Sequence, residues 1–166
     1  MIQIYKKIFL LSHVIAFAFC CASIAESKTL KRWTGKVVGI SDGDTISVMR
    51  DRQEVKIRLA EIDCPEGHQP FGGKAKQFTS DRCFKKMVTV QPTDKDRYGR
   101  IVAPVKLLDG RDLGEELLRA GLAWHFKKYS KSQTLAWLEA DAKKSRLGLW
   151  SQKNPIPPWE WRQQNK

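Results

Sequence analysis

Cysteine and histidine are scarce in this 166-residue chain, with four Cys and three His. Cys20, Cys21 and His13 all fall within the first 25 residues. The remaining Cys64, Cys83, His68 and His125 are too few and too widely spaced for a four-cysteine or histidine-rich zinc site. Seven Pro and eleven Gly exclude a collagen-like or low-complexity chain. The most apolar stretch, Ile8 to Ala22, is 15 residues long and is broken by Ser12 and His13, too short for a spanning helix. There is no internal repeat, and the length suits a single domain. Acids are the minority charge: 18 Asp and Glu against 30 Lys and Arg give +12. Such an excess points to an anionic partner, either nucleic acid or a membrane surface.

Residues 1–25 read as a secretory signal peptide. Lys6 and Lys7 form the positive region, the apolar run follows, and Ser23-Ile24-Ala25 supplies small residues for cleavage after Ala25. The expected product is an exported chain, periplasmic or secreted, comprising residues 26–166 as one domain. No stable membrane partner is expected after cleavage, and the mature chain is expected to be a monomer. Cys64 and Cys83 would be its two cysteines, and in an oxidising compartment they form either one bridge or two free thiols.

Five β-type stretches alternate with helical ones. Trp33 to Ile40 and Thr45 to Met49 are split by the turn Ser41-Asp42-Gly43-Asp44, and Val55 to Leu59 alternates apolar with basic residues. Met87 to Val90 and Ile101 to Leu108 supply two more strands, with Thr93 to Arg100 as a loop and Pro104 demanding an edge or a bulge. Helices are expected over Phe71 to Lys86, over Leu113 to Ala120 behind an Asp112/Glu115 capping box, and over Gln133 to Leu147. The Pro-rich tail from 154 to 166 reads as extended. This order, α+β but mainly β, suits a five-stranded Greek-key barrel of the OB type with three helices.

Charge is unevenly distributed. Residues 41–66 hold seven acids and four bases, whereas residues 119–166 hold ten bases and three acids. Carboxylates near phosphates are unfavourable unless a cation lies between them. Hard divalent cations take oxygen ligands, which makes Asp44, Asp63 and Glu66 candidates for calcium or magnesium. An EF-hand is excluded, because Ile46 stands where its loop needs an oxygen ligand and Gln53 where it needs a bidentate Glu.

The ordered set Asp42-Gly43-Asp44-Thr45, Arg58-Leu59-Ala60-Glu61-Ile62-Asp63-Cys64-Pro65-Glu66 and Asp96-Arg97-Tyr98-Gly99-Arg100 resembles the staphylococcal nuclease (thermonuclease) family. Gly121-Leu122-Ala123 and Leu147-Gly148-Leu149-Trp150 extend the likeness over roughly Lys36 to Ser151. The Pro-Pro-Trp-Glu-Trp-Arg tail is similar to that of Gram-negative and plasmid-encoded members. The resemblance implies a calcium-dependent phosphodiesterase acting on DNA and RNA and leaving 3′-phosphate ends. It further implies that Asp44, Asp63 and the Cys64 backbone carbonyl hold Ca2+, that Glu66 handles the attacking water, and that Arg58 and Arg100 grip the phosphate. Tyr129 aligns with one nucleotide-contacting tyrosine and Lys127 stands at the other; Tyr98, Lys127 and Tyr129 are the candidate substrate contacts.

These residue types suit the chemistry on their own account. Phosphodiester hydrolysis needs an aimed water, a cation to polarise phosphate, and donors where charge develops. Arginine's fork spans two phosphate oxygens. The alternative is a non-catalytic OB-fold module that only binds nucleic acid. Such a module has no need of the complete set of two Arg, two Asp and one Glu.

Overall fold

A computed structural model describes residues 31–165. The signal-peptide reading of residues 1–25 therefore lies outside the described residues. Strand β1 (Trp33–Ile40), β2 (Thr45–Arg50) and β3 (Gln53–Leu59) form an antiparallel meander. Its inward positions, Val37, Ile46, Val48, Ile57 and Leu59, are almost wholly buried. Alternation of side chains across the pleat puts Lys56 and Arg58 on the other face from Ile57. The β2–β3 turn uses Asp51 and Arg52, both at positive φ (47° and 65°), the conformation a two-residue hairpin connection requires.

After β4 (Ile62–Asp63) comes helix α1 (Gly72–Cys83), then β5 (Met87–Val90), β6 (Asp94–Lys95), β7 (Ile101–Ala103) and β8 (Val105–Lys106). The main sheet has the order β6-β7-β3-β2-β1-β5-β8. Pro104 explains how it closes. β7 pairs parallel with β3, whereas β8, just beyond the proline, pairs antiparallel with β5. One chain segment thus seals both edges of the barrel, and the proline, which cannot donate to a ladder, marks the changeover. With β7 and β8 counted as that one segment, β1, β2, β3 and β5 complete the five-stranded OB-type barrel.

Helix α2 (Leu113–Arg119) is capped by Asp112, whose side chain accepts from the Gly114 and Glu115 amides. The expected reciprocal partner Glu115 instead lies 3.7 Å from Arg119. β9 (Trp124–His125) pairs with β4, and α3 (Gln133–Lys144) buries Leu135, Leu138 and Ala142. Burying a leucine side chain of this kind contributes about 1.5–3 kcal/mol.

Four expectations are corrected. α1 stops at Cys83, because Phe84 turns extended and Lys85 takes φ 61°. α3 stops at Lys144, where Arg146 at φ 53° provides the left-handed turn before Gly148. The tail is not wholly extended: Pro158–Gln164 is a fourth helix, α4. Pro158 at its first turn, Glu160 in that turn and Arg162 in the last are the residues that favour a short helix there. The polar stretch after Thr93 also contributes the two-residue β6 rather than remaining all loop.

Candidate active site

Two glycines bring the acidic segments together. A Cβ on Gly43 would stand 2.9 Å from Cys64 Cβ and 2.7 Å from that of Ala75, so only glycine lets the Asp42–Asp44 turn lie against both. Thr79 of α1 then donates its hydroxyl to the Gly43 carbonyl at 2.6 Å. A Cβ on Gly72 would fall on the Glu66 carbonyl. The start of α1 is thereby pressed against the loop that carries Glu66, and Gln69 accepts the Glu66 amide at 3.1 Å.

Asp44 and Asp63 are both buried, at 5% and 1% exposure of the whole residue. Arg58, rising from β3, joins them: its Nη1 is 3.0 Å from Asp44 Oδ2 and its Nη2 is 2.7 Å from Asp63 Oδ1. Asp44 Oδ2 also accepts the Cys64 amide at 2.7 Å, and Thr45 Oγ1 donates to Asp44 Oδ1 at 3.2 Å. Burial pushes the Asp44 carboxyl up to about 8, with Asp42 and Asp63 adding repulsion, although Arg58 pulls the other way. Burial likewise works against the Arg58 charge, but Asp44 and Asp63 hold its pKa above the ordinary value.

Arg100 reaches the same turn from the other side. Its Nη1 lies 3.4 Å from Thr45 Oγ1, and its Nε donates to Asp96 Oδ2 at 2.7 Å. Desolvation opposes ionisation of Asp96, yet the bonds from the Arg100 and Tyr98 groups keep its pKa low. Tyr98 is exposed on this loop with the Arg97 and Arg100 guanidinia over its ring.

The structure thus brings together Asp44, Arg58, Asp63, Cys64, Glu66 and Arg100. Two other expected residues have their contacts outside that group. Lys127 Nζ sits 3.3 Å from Glu139 Oε2. Tyr129 is exposed and packs edge-on against Phe126 at 4.9 Å. His125 is buried beside Trp124, and His68 is exposed on its loop. Cys64 and Cys83 are buried free thiols.

One residue at the site was not anticipated. Arg162, on α4, places Nη2 2.7 Å from Asp63 Oδ2 and Nη1 2.5 Å from Glu66 Oε1. Its tail is anchored by Gln69, which donates to the Ile156 carbonyl at 2.6 Å, and by Trp159, stacked on Phe126 at 5.3 Å. The proline-initiated helix signature at Pro158 was the available clue.

The donor set matches a hard divalent cation in chemistry, being carboxylate and carbonyl oxygen, and two guanidinia already supply positive charge at Asp63. Among the described residues, however, no three His, Cys, Asp or Glu side chains close on a common point. Arg58 and Arg162 lie against the carboxylates instead.

A mostly β barrel whose basic chain gathers buried carboxylates and arginines at one spot belongs with enzymes that act on polyanions. The model of the staphylococcal nuclease homologue family matches residues 56–152, and the chain belongs to that family. It is similar to an Escherichia coli protein described as an uncharacterized endonuclease, 41% identical over 128 residues, covering 77% of this chain and 84% of the relative. It is 37% identical over 165 residues to a Haemophilus influenzae protein of the same description, covering 99% and 89%. A micrococcal nuclease of Shigella flexneri is 39% identical over 168 residues, covering 93% and 97%. The chain is accordingly a nuclease, a hydrolase with nucleic-acid substrates.

Proposed function

We propose that the protein is an exported, monomeric, calcium-dependent nuclease that hydrolyses both DNA and RNA and leaves 3′-phosphate ends. The observation that carries this reading is the Arg58 fork, which bridges buried Asp44 and Asp63 beside Glu66. An arginine so held is rigid, desolvated on one side and oriented before substrate arrives.

In this reading Asp44, Asp63 and the Cys64 carbonyl hold Ca2+. Bound there, the ion would polarise the phosphate and offset the charge of the carboxylates. Glu66, its side chain 39% exposed and its Oε1 paired with Arg162, takes the proton of the attacking water through its other carboxylate oxygen. Arg58 and Arg100 donate to the phosphate oxygens on which negative charge grows. Arg100 is oriented for this by Asp96, which fixes its Nε and leaves its Nη groups facing Thr45 and the Asp44 turn. Exposed Tyr98 and Tyr129 offer flat faces to bases or sugars. Lys127, paired with Glu139, is the third substrate contact in this reading, and Lys128 Nζ adds positive charge 5.5 Å from the centre of the Tyr129 ring. Export rests on the Lys6 to Ala25 segment.

Plasmid DNA and ribosomal RNA, each incubated with purified protein in calcium and then in excess chelator, test the proposal. Both substrates should be cut in calcium alone. The DNA fragments should prime polymerase only after phosphatase removes their 3′ ends' phosphate. Cleavage undiminished by chelator, or ends that prime directly, would contradict it.

A further inference from the structure

We propose that Arg162 is a tethered cation that positions Asp63 and Glu66 in the metal-free enzyme and is displaced when the divalent ion binds. This rests on the metal-dependent reading of the site given above. Asp63 has two carboxylate oxygens, and each is taken by a guanidinium: Oδ1 by Arg58 and Oδ2 by Arg162. Glu66 Oε1 is taken by the same Arg162. The three carboxylates Asp44, Asp63 and Glu66 therefore meet two fixed positive charges. A divalent ion on Asp63 must share the carboxylate with at least one of them, against like-charge repulsion and for the same lone pairs.

The two arginines are not equally able to leave. Arg58 stands on a central strand of the barrel with its side chain 13% exposed, and also bonds Asp44 and its own neighbour's carbonyl at Leu59. Arg162 is 43% exposed, and its bonds to Asp63 and Glu66 are its only side-chain ties among the described residues. It sits in the last turn of a seven-residue helix whose Trp159 stacks on Phe126, beyond a proline-rich connection held by the Gln69–Ile156 bond. Gln69 links the two ends of this device, because its side chain accepts the Glu66 amide while donating to the tail. Arg162 thus keeps two buried or half-buried carboxylates paired and oriented before the ion arrives, and lowers the affinity for that ion by the work of its displacement.

Calorimetric titration of calcium into the wild type, Arg162→Gln and Arg162→Lys tests this, without reference to turnover. Arg162→Gln should bind calcium more tightly, by roughly 5- to 150-fold, the usual range for coupled sites. Arg162→Lys, which keeps the charge but not the fork, should fall between it and the wild type. Equal or weaker calcium binding by Arg162→Gln overturns the proposal, as does failure of both the wild type and Arg162→Gln to bind calcium. If Arg162→Gln does not fold by circular dichroism, Trp159→Ala decides in its place: it frees the tail without touching a site carboxylate and should likewise tighten binding. A wild type that cleaves DNA only with calcium, beside an Arg162→Gln chain with unchanged affinity, would remove the tether and leave the nuclease reading standing.

Discussion

The Thr79 hydroxyl donates to the Gly43 carbonyl at 2.6 Å, so a core-facing side chain of the first helix fixes the turn that presents Asp44. Both groups are buried. A buried carbonyl without its donor costs about 1–3 kcal/mol. Thr79→Val keeps the shape and removes the donor. It should lose stability on that scale in urea unfolding, and its turnover should fall with the loosened Asp44 turn. Stability and turnover both unchanged would show that the helix does not hold the turn.

Arg58→Ala, Arg100→Ala and Glu66→Gln address the reaction itself. Donors that act mainly on transition-state charge change kcat rather than KM. Each arginine variant should lose on the order of 10²–10³ in kcat, and Glu66→Gln should lose 10²–10⁴ or so, as expected when a general base is removed. Steady-state kinetics on a defined oligonucleotide separate the two constants. A variant with raised KM and normal kcat would take its residue out of the catalytic set.

These candidate residues were legible in the sequence through the ordered set of short motifs that resembles the family, since no one of the motifs is specific alone. Asp44 ends the turn Asp42-Gly43-Asp44, Arg58 occupies an outward position of an alternating strand, and Asp63 and Glu66 close the segment Asp63-Cys64-Pro65-Glu66. Pro104 was equally readable as a ladder breaker, and its place between β7 and β8 is what closes the barrel. The helix ends were less readable. Lys85 and Arg146 adopt the left-handed turn without being glycine, and nothing local in a Lys or Arg announces that. Arg162 was hidden for a different reason. Its position depends on contacts across about ninety residues of sequence, from Gln69 to Ile156 and from Asp63 to Arg162 itself, which no periodicity within the tail encodes.

The two thiols give a further check. Cys64 and Cys83 are buried and unpaired, and Cys83 donates to the Thr79 carbonyl at 3.1 Å. Burial raises the Cys64 pKa and pushes that of Cys83 up to about 12, with Lys86 opposing, so neither is a ready thiolate. In a chain beginning at residue 26, which carries only Cys64 and Cys83, alkylation without reductant should add no group to the native protein and two to the denatured one, read by intact mass. A denatured chain that takes none would reveal a bridge.

Calcium-dependent turnover of Asp63→Asn beside the wild type, with circular dichroism on both, bears most directly on the acidic cluster as the metal-dependent catalytic centre. Asp63 is the carboxylate on which Arg58 and Arg162 converge. The wild type should cleave plasmid DNA in calcium and stop in chelator while keeping its folded spectrum. Asp63→Asn should stay folded and lose cleavage at every calcium concentration. A folded Asp63→Asn chain that cuts at the wild-type rate would contradict that assignment.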